Sequence, residues 1–207
     1  MTEKTFIFDL DQTLYPKSSN IIRQIDHKIA IICAEIYKTD LVKGQEIAYT
    51  LNDEYGTTLN GLVRSHKIDK DDYLTRVHDV DYSELIQCHA LQKAIAHLSG
   101  RRYIYTNGTK DHAQRVLKKR YLQDYFDDIH DIKASNFIAK PSESAFKEFL
   151  YKFQISPEKA VFFDDNINNV KTAQNLGIEA YHVLEGEAER EGCSAIKNLA
   201  EFLELYF

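Results

Sequence analysis

The chain has 207 residues, 43% of them hydrophobic, with 26 Lys and Arg against 32 Asp and Glu for a net charge of −6. That length suits one domain, or a core domain carrying a smaller insertion. The acidic balance excludes a general grip on nucleic-acid backbones, which needs clustered cations, and no apolar stretch reaches membrane-spanning length.

The first element is the apolar run Phe6-Ile7-Phe8, which suits a strand buried on both faces of a parallel sheet. It ends in Asp9 and Asp11, with Thr13 two residues on. In a strand, residues i and i+2 point to the same side, so the two carboxylates can converge on one ligand. On these residues alone, a turn that simply ends the strand explains Asp-x-Asp equally well. The strand starts within a few residues of Met1, which leaves no room for a signal peptide. Cys33, Cys88 and Cys193 have no metal-ligand spacing, and their odd count gives no disulfide framework. A soluble, cytoplasmic protein, monomeric or weakly dimeric, is expected.

Past Tyr15-Pro16 the periodicity becomes helical. Ile21, Ile22, Ile25, Ile29, Ile32 and Ile36 form one stripe, with Ser18, Ser19 or Asn20 as cap. Further helices are expected over 44–55, stopped by Gly56, over 59–66 and over 71–78. No second Phe-Ile-Phe-like run falls between 17 and 85, so this segment reads as a helical cap inserted into a core made of 1–16 and 86–207.

From residue 86 helix and strand alternate. A helix over 91–98 precedes a strand over 102–106, which ends in Asn107-Gly108. A helix over 110–121 follows, where the Lys118-Lys119-Arg120 run reads as a solvated face. A weaker strand lies near 128–132, and Lys140-Pro141 leads a helix over 142–153. The run Ala160-Val161-Phe162-Phe163 ends in Asp164-Asp165-Asn166, then come a helix over 170–176, a strand over 178–183 and a helix over 194–205. This alternation specifies α/β architecture: a doubly wound parallel sheet, Rossmann-like, with helices on both faces.

In such a sheet the three polar strand ends share one edge, where open α/β folds bind ligands. Asp9, Asp11, Asp164 and Asp165 suit a hard, oxygen-seeking cation, most plausibly Mg²⁺. Thr106, the Asn107 amide and Lys140 suit a phosphate. Together these groups describe phosphoryl transfer from a small phosphorylated metabolite.

The four segments Asp9-Leu10-Asp11-Gln12-Thr13, Thr106-Asn107-Gly108, Lys140-Pro141 and Asp164-Asp165-Asn166 stand in the order of the four motifs of the haloacid dehalogenase superfamily. The chain resembles that superfamily's aspartate-nucleophile phosphatases. Within it, Leu14-Tyr15-Pro16, Tyr55-Gly56-Thr57-Thr58-Leu59 and His78-Asp79-Val80-Asp81-Tyr82 look like the pyrimidine 5′-nucleotidase branch. The resemblance implies a Mg²⁺-dependent phosphatase that cleaves a pyrimidine nucleoside 5′-monophosphate. It implies Asp9 as nucleophile and Asp11 as general acid and then base, with the Asp11 carbonyl also on the metal. Asp165 is implied as direct metal ligand, Asp164 as ligand directly or through water, and Thr13 as orienting the loop.

The chain departs from many relatives at Asn169, where they carry a further carboxylate. Sibling readings are a sugar-phosphate or phosphoglycolate phosphatase and, less favoured, a phosphomutase. A dehalogenase is disfavoured because, by resemblance, those enzymes lack the second acid. A non-catalytic phosphometabolite-binding module is the rival from another class. Arg64, His66, His78 and Asp79 are the cap residues with polar ends suited to a base edge or a ribose hydroxyl.

Overall fold

The computed structural model describes residues 4–184 and 195–207; Cys193 and Ser194 lie outside them. Six parallel strands form one sheet: β1 (Lys4–Phe8), β2 (Gly100–Tyr105), β3 (Asp128–His130), β4 (Ala160–Asp164), β5 (Glu179–Val183) and β6 (Ala195–Ile196), in the order β3-β2-β1-β4-β5-β6. The chain steps outward from β1 to β3, then returns to the other side of β1 at β4. The strand order therefore reverses between β1 and β4, and the crevice at their carboxyl ends is where ligands bind in open α/β sheets.

Alternation along each strand divides the core. Ile7, Tyr103, Tyr105 and Phe162 pack with Phe146, Phe149 and Val170 on one face. On the other, Phe8 stacks on Phe163 with ring centroids 4.9 Å apart, and Phe163 continues to Tyr181 at 5.7 Å. Every residue of β4 is buried, as a strand covered by helices on both faces requires.

The chain divides into two compact units, residues 1–18 with 85–207, and residues 19–84. The second is all helical: α1 (Ile21–Tyr37), α2 (Leu41–Tyr55), α3 (Thr58–Ser65) and α4 (Lys70–Val77). Helix α2 begins three residues before the expected start because Asp40 caps it, accepting from Lys43 N. Gly44 thus falls inside α2, where a Cβ would lie 2.4 Å from the Ala30 carbonyl oxygen of α1. Its missing side chain lets the two helices touch. Asn20 stands at the start of α1 without a side-chain cap, and its N–H donates instead to the Glu84 carboxylate at 3.0 Å.

The first unit holds α5 (His89–His97), α6 (Lys110–Arg120), α7 (Glu143–Phe153), α8 (Ile167–Asn175) and α9 (Leu199–Tyr206). The last helix starts later than its apolar pattern implies, because Ala195–Ile196 is taken into the sheet as β6. Among the described residues no helix is long and apolar enough to cross a membrane, and Cys33 and Cys88 are free thiols.

Candidate active site

Strand β1 stops at Phe8, and Asp9 continues only through its N–H, which donates to Phe163 O at 2.8 Å. Gln12 then takes a left-handed conformation, φ 58°, and turns the chain. The two carboxylates are therefore placed by a turn and not by a continuing strand, and Asp11 stays near enough for its charge to raise the Asp9 pKa. Asp9 Oδ1 accepts from Lys140 Nζ at 2.8 Å and Oδ2 from the Thr13 hydroxyl at 3.3 Å. Asp11 Oδ1 accepts from the Tyr15 hydroxyl at 2.6 Å and meets His112 Nε2 at 2.7 Å.

At the end of β4, Asp164 is fully buried. Its Oδ2 accepts from Lys140 Nζ at 2.7 Å and from Asn169 Nδ2 at 3.0 Å. Its Oδ1 accepts from Asn166 N at 2.8 Å and from the same Asn169 nitrogen at 2.9 Å. Asn169 thus supplies a donor that holds both oxygens of Asp164. The next residue, Asp165, is placed by its own carbonyl, which accepts from His182 Nε2 at 2.7 Å. Burial, and then the charge of Asp164, pushes the Asp165 carboxyl up to about 7, against the opposing pull of Lys140 and Lys17.

At the end of β2, the Thr106 hydroxyl oxygen accepts from Gly108 N at 2.9 Å. The Asn107 side chain is committed elsewhere: Oδ1 accepts from Lys140 N at 2.9 Å and Nδ2 donates to Lys140 O at 3.0 Å. That pair of bonds fixes the backbone from which the lysine side chain departs. Lys140 is itself 2% exposed, and its Nζ gives one hydrogen bond each to Asp9, Asp164 and the Tyr105 carbonyl, the last at 2.7 Å. An ammonium has three donors, so all of them are engaged. Burial would lower the Lys140 pKa, but Asp164 and Asp9 outweigh burial and raise it.

Asp9 sits in a field that works against its charge. Burial raises its pKa, Lys140 opposes, and Asp164, Asp165 and Asp11 raise it further. Oxygens of Asp9, Asp164 and Asp165 lie within 4.8 Å of one another. Carboxylates that penalise each other's ionisation in an all-oxygen donor set fit a hard divalent cation such as Mg²⁺. Because Asp164 already accepts two hydrogen bonds on each oxygen, Asp9 and Asp165 are the side chains suited to bind it directly. The Asp11 side chain stands outside this group.

Helix α6 supplies contacts that its sequence pattern does not announce. Thr109 caps it through His112 N, placing the buried His112 in the first turn. At its other end Arg120 is buried, not solvated: Nε donates to Leu14 O at 3.0 Å and Nη1 to Ile86 O at 2.7 Å. His112 lies four residues before Val116 on the apolar stripe, and a polar residue on a buried stripe was the available signal.

The four cap residues singled out by their polar ends all have partners within the helical unit. The Arg64 guanidinium lies over the Tyr55 ring, 5.2 Å from its centroid. His66 Nδ1 meets Ser65 Oγ at 2.9 Å, and its ring meets Tyr37 edge-on. His78 Nδ1 donates to Leu74 O at 2.8 Å, and Asp79 pairs with Lys28 at 3.4 Å.

Fold and site together define a Rossmann-like core with an acidic centre at the strand switch point. The chain belongs to the haloacid dehalogenase-like hydrolase family, whose model matches residues 3–177. It is 27% identical over 201 residues to Phosphate metabolism protein 8 of Saccharomyces cerevisiae, covering 88% of this chain and 62% of that protein. The chain thus spans about three-fifths of that relative's length. Its fold is similar to a HAD phosphatase from Thermococcus onnurineus, with TM-score 0.66, 17% identity and coverage of 98% and 97% of the two chains. It is also similar to L-2-haloacid dehalogenase from Xanthobacter autotrophicus, with TM-score 0.61, 16% identity and coverage of 99% and 98%.

Proposed function

We propose that this hydrolase cleaves small phosphate monoesters through an aspartyl-phosphate, with Mg²⁺ as cofactor and a pyrimidine nucleoside 5′-monophosphate as substrate. The observation that carries this reading is the division of partners at the end of β1. Asp9 is bonded to a buried ammonium and grouped with Asp164 and Asp165, whereas Asp11 is bonded to a phenol and an imidazole. Two carboxylates held in different environments are what a nucleophile and a proton donor require.

In this reading an Asp9 oxygen forms a bond to phosphorus as the ester P–O bond breaks. Asp11 gives its proton to the departing alkoxide. Asp11, now ionised, takes a proton from water as that water attacks phosphorus and the Asp9–phosphorus bond breaks, releasing inorganic phosphate. Asp9 and Asp165, with the Asp11 carbonyl, would hold the cation, which neutralises charge on the carboxylates and the phosphoryl oxygens. Thr106 supplies a hydroxyl hydrogen to a phosphoryl oxygen. Asn107 contributes its backbone N–H, since its side chain is engaged with Lys140. Lys140 acts chiefly as the fixed countercharge of Asp9 and Asp164. The intact pair Asp9 and Asp11 favours phosphate esters over haloacids, and the name of the yeast relative supports phosphate chemistry.

Substrate choice is assigned to the helical unit, with Arg64, His66, His78 and Asp79 as the residues that read base and ribose. The test is a panel of nucleoside monophosphates, sugar phosphates and phosphoglycolate, with and without Mg²⁺, with hydroxylamine trapping of the acyl phosphate. Mg²⁺-dependent release of phosphate, selective for UMP and CMP and absent in Asp9→Asn, is expected. Equal cleavage of purine and pyrimidine nucleotides overturns the substrate, and turnover by Asp9→Asn near the wild-type rate overturns the mechanism. His78→Ala or Asp79→Ala should lower efficiency on UMP by about tenfold or more, and that on p-nitrophenyl phosphate much less.

A further inference from the structure

Two side chains outside the four motif segments converge on one oxygen of Asp11. Tyr15 donates its hydroxyl to Oδ1 at 2.6 Å, and His112 Nε2 lies 2.7 Å from the same atom. They come from different directions in the chain. Tyr15 follows Asp11 by four residues across the turn at Gln12, and His112 comes from the capped first turn of α6. The His112 side chain is wholly buried, so its ring cannot swing to another partner without opening the helix–loop contact. Tyr15 is 3% exposed. Burial and the charge of Asp11 push its phenol far up, so it remains a donor throughout the working pH range.

We infer that Tyr15 and His112 are positioning residues for Asp11, fixing the orientation of its carboxyl through Oδ1. This rests on the proposed role of Asp11 as acid and base. A neutral carboxyl has one hydroxyl oxygen and one carbonyl-like oxygen. Two partners on Oδ1, a phenol that donates and an imidazole whose role follows its tautomer, fix the rotation of the carboxyl plane whichever oxygen carries the proton. Neither residue exchanges a proton with substrate. Each fixes the plane of the group that does, and a small misplacement of a reacting group is costly to rate.

The experiment measures kcat and KM for a series of aryl phosphates, from phenyl phosphate to p-nitrophenyl phosphate, whose leaving groups differ in their need for protonation. Wild type, Tyr15→Phe, His112→Leu, His112→Gln and Asp11→Asn are compared in Mg²⁺. Tyr15→Phe and His112→Leu should lower kcat on phenyl phosphate about tenfold to a hundredfold. On p-nitrophenyl phosphate they should lower it less than about threefold, with KM little changed. His112→Gln keeps an N–H donor and should recover most of the loss. Tyr15→Phe removes a single oxygen, so it tests the idea even if His112→Leu fails to fold. An equal fall across the series, or no fall in either variant, overturns the positioning roles. If Asp11→Asn also shows no leaving-group selectivity, the acid assignment beneath them has failed instead. If wild type cleaves none of the series, the phosphatase reading itself has failed.

Discussion

Asn169 donates one side-chain nitrogen to both oxygens of Asp164, at 2.9 and 3.0 Å. Asp164 is fully buried and also bonded to Lys140, so the amide completes the solvation of a charge that water does not reach. Asn169→Leu removes that donor and should cost about 1.5–3 kcal/mol, the range for a hydrogen bond to a charged group. For a chain of this size that corresponds to a fall in Tm of about 3–12 °C. Asn169→Asp should be worse without cation, because it sets a second carboxylate against Asp164, and Mg²⁺ should recover part of the difference. Thermal melts of both variants with and without Mg²⁺ check this. Equal melting of Asn169→Asp and wild type would show that the amide is not needed.

Asp165 gives the opposite sign. Burial and Asp164 hold its pKa near 7, so at higher pH the fold carries an ionised group that it disfavours. Asp165→Asn should raise the Tm of the metal-free protein and abolish the shift that Mg²⁺ produces in wild type. Calorimetric titration with Mg²⁺ supplies the second readout. A Mg²⁺-induced shift that survives in Asp165→Asn would place the cation elsewhere.

His130 carries the clearest pH dependence of stability. Its ring is buried among Tyr105, Phe149 and Phe153, with Nε2 at Ser135 Oγ and Nδ1 facing the Lys152 ammonium. Burial and then Lys152 lower its pKa from 6.5 to about 4. The unfolded chain therefore binds a proton that the folded one does not between about pH 6.5 and 4, and stability is lost as pH falls through that window. His130→Phe keeps an aromatic ring there and removes the titration. The stability difference between variant and wild type should shift in the variant's favour from pH 7.5 to pH 4.5 in denaturant titrations. A difference that stays constant with pH would show that folding leaves the His130 pKa where it is in the unfolded chain.

Gly44 of α2 lies directly against Ala30 and Ala34 of α1. Gly44→Ala would place a Cβ 2.4 Å from the Ala30 carbonyl oxygen and 2.9 Å from Ala34 Cβ. Forcing the helices apart should cost about 1–3 kcal/mol, more than the gain in helix propensity. Hydrogen exchange should then rise selectively in residues 21–55. Unchanged exchange there would mean that the pair repacks freely.

The fold was legible where local pattern and burial agree. Phe6 to Phe8 and Ala160 to Phe163 are apolar throughout because helices cover both sheet faces, and the polar residues that follow them mark the strand ends. Asn107 and Arg120 show where legibility stops. The amide of Asn107 beside the Thr106 hydroxyl reads as a ligand group, but long-range pairing commits its side chain to Lys140. Arg120 closes a basic run that reads as solvated, yet its register on α6 carries it inward to two carbonyls. Helix Lys70–Val77 reads as starting one residue later, because Asp69 caps it with a single carboxylate oxygen shared by Asp71 N and Asp72 N.

Helix α6 has little room for insertions or deletions. Its first turn holds Asp11, and its last residue holds Leu14 and Ile86, which flank the segment where the chain leaves the sheet unit and returns to it. One residue added between His112 and Arg120 would turn these ends about 100° relative to each other. Either the carboxyl or the two carbonyls would lose its partner. Changes in length among descendants of this chain should therefore collect in the loops on either side of α6, while the eight-residue step from His112 to Arg120 stays fixed.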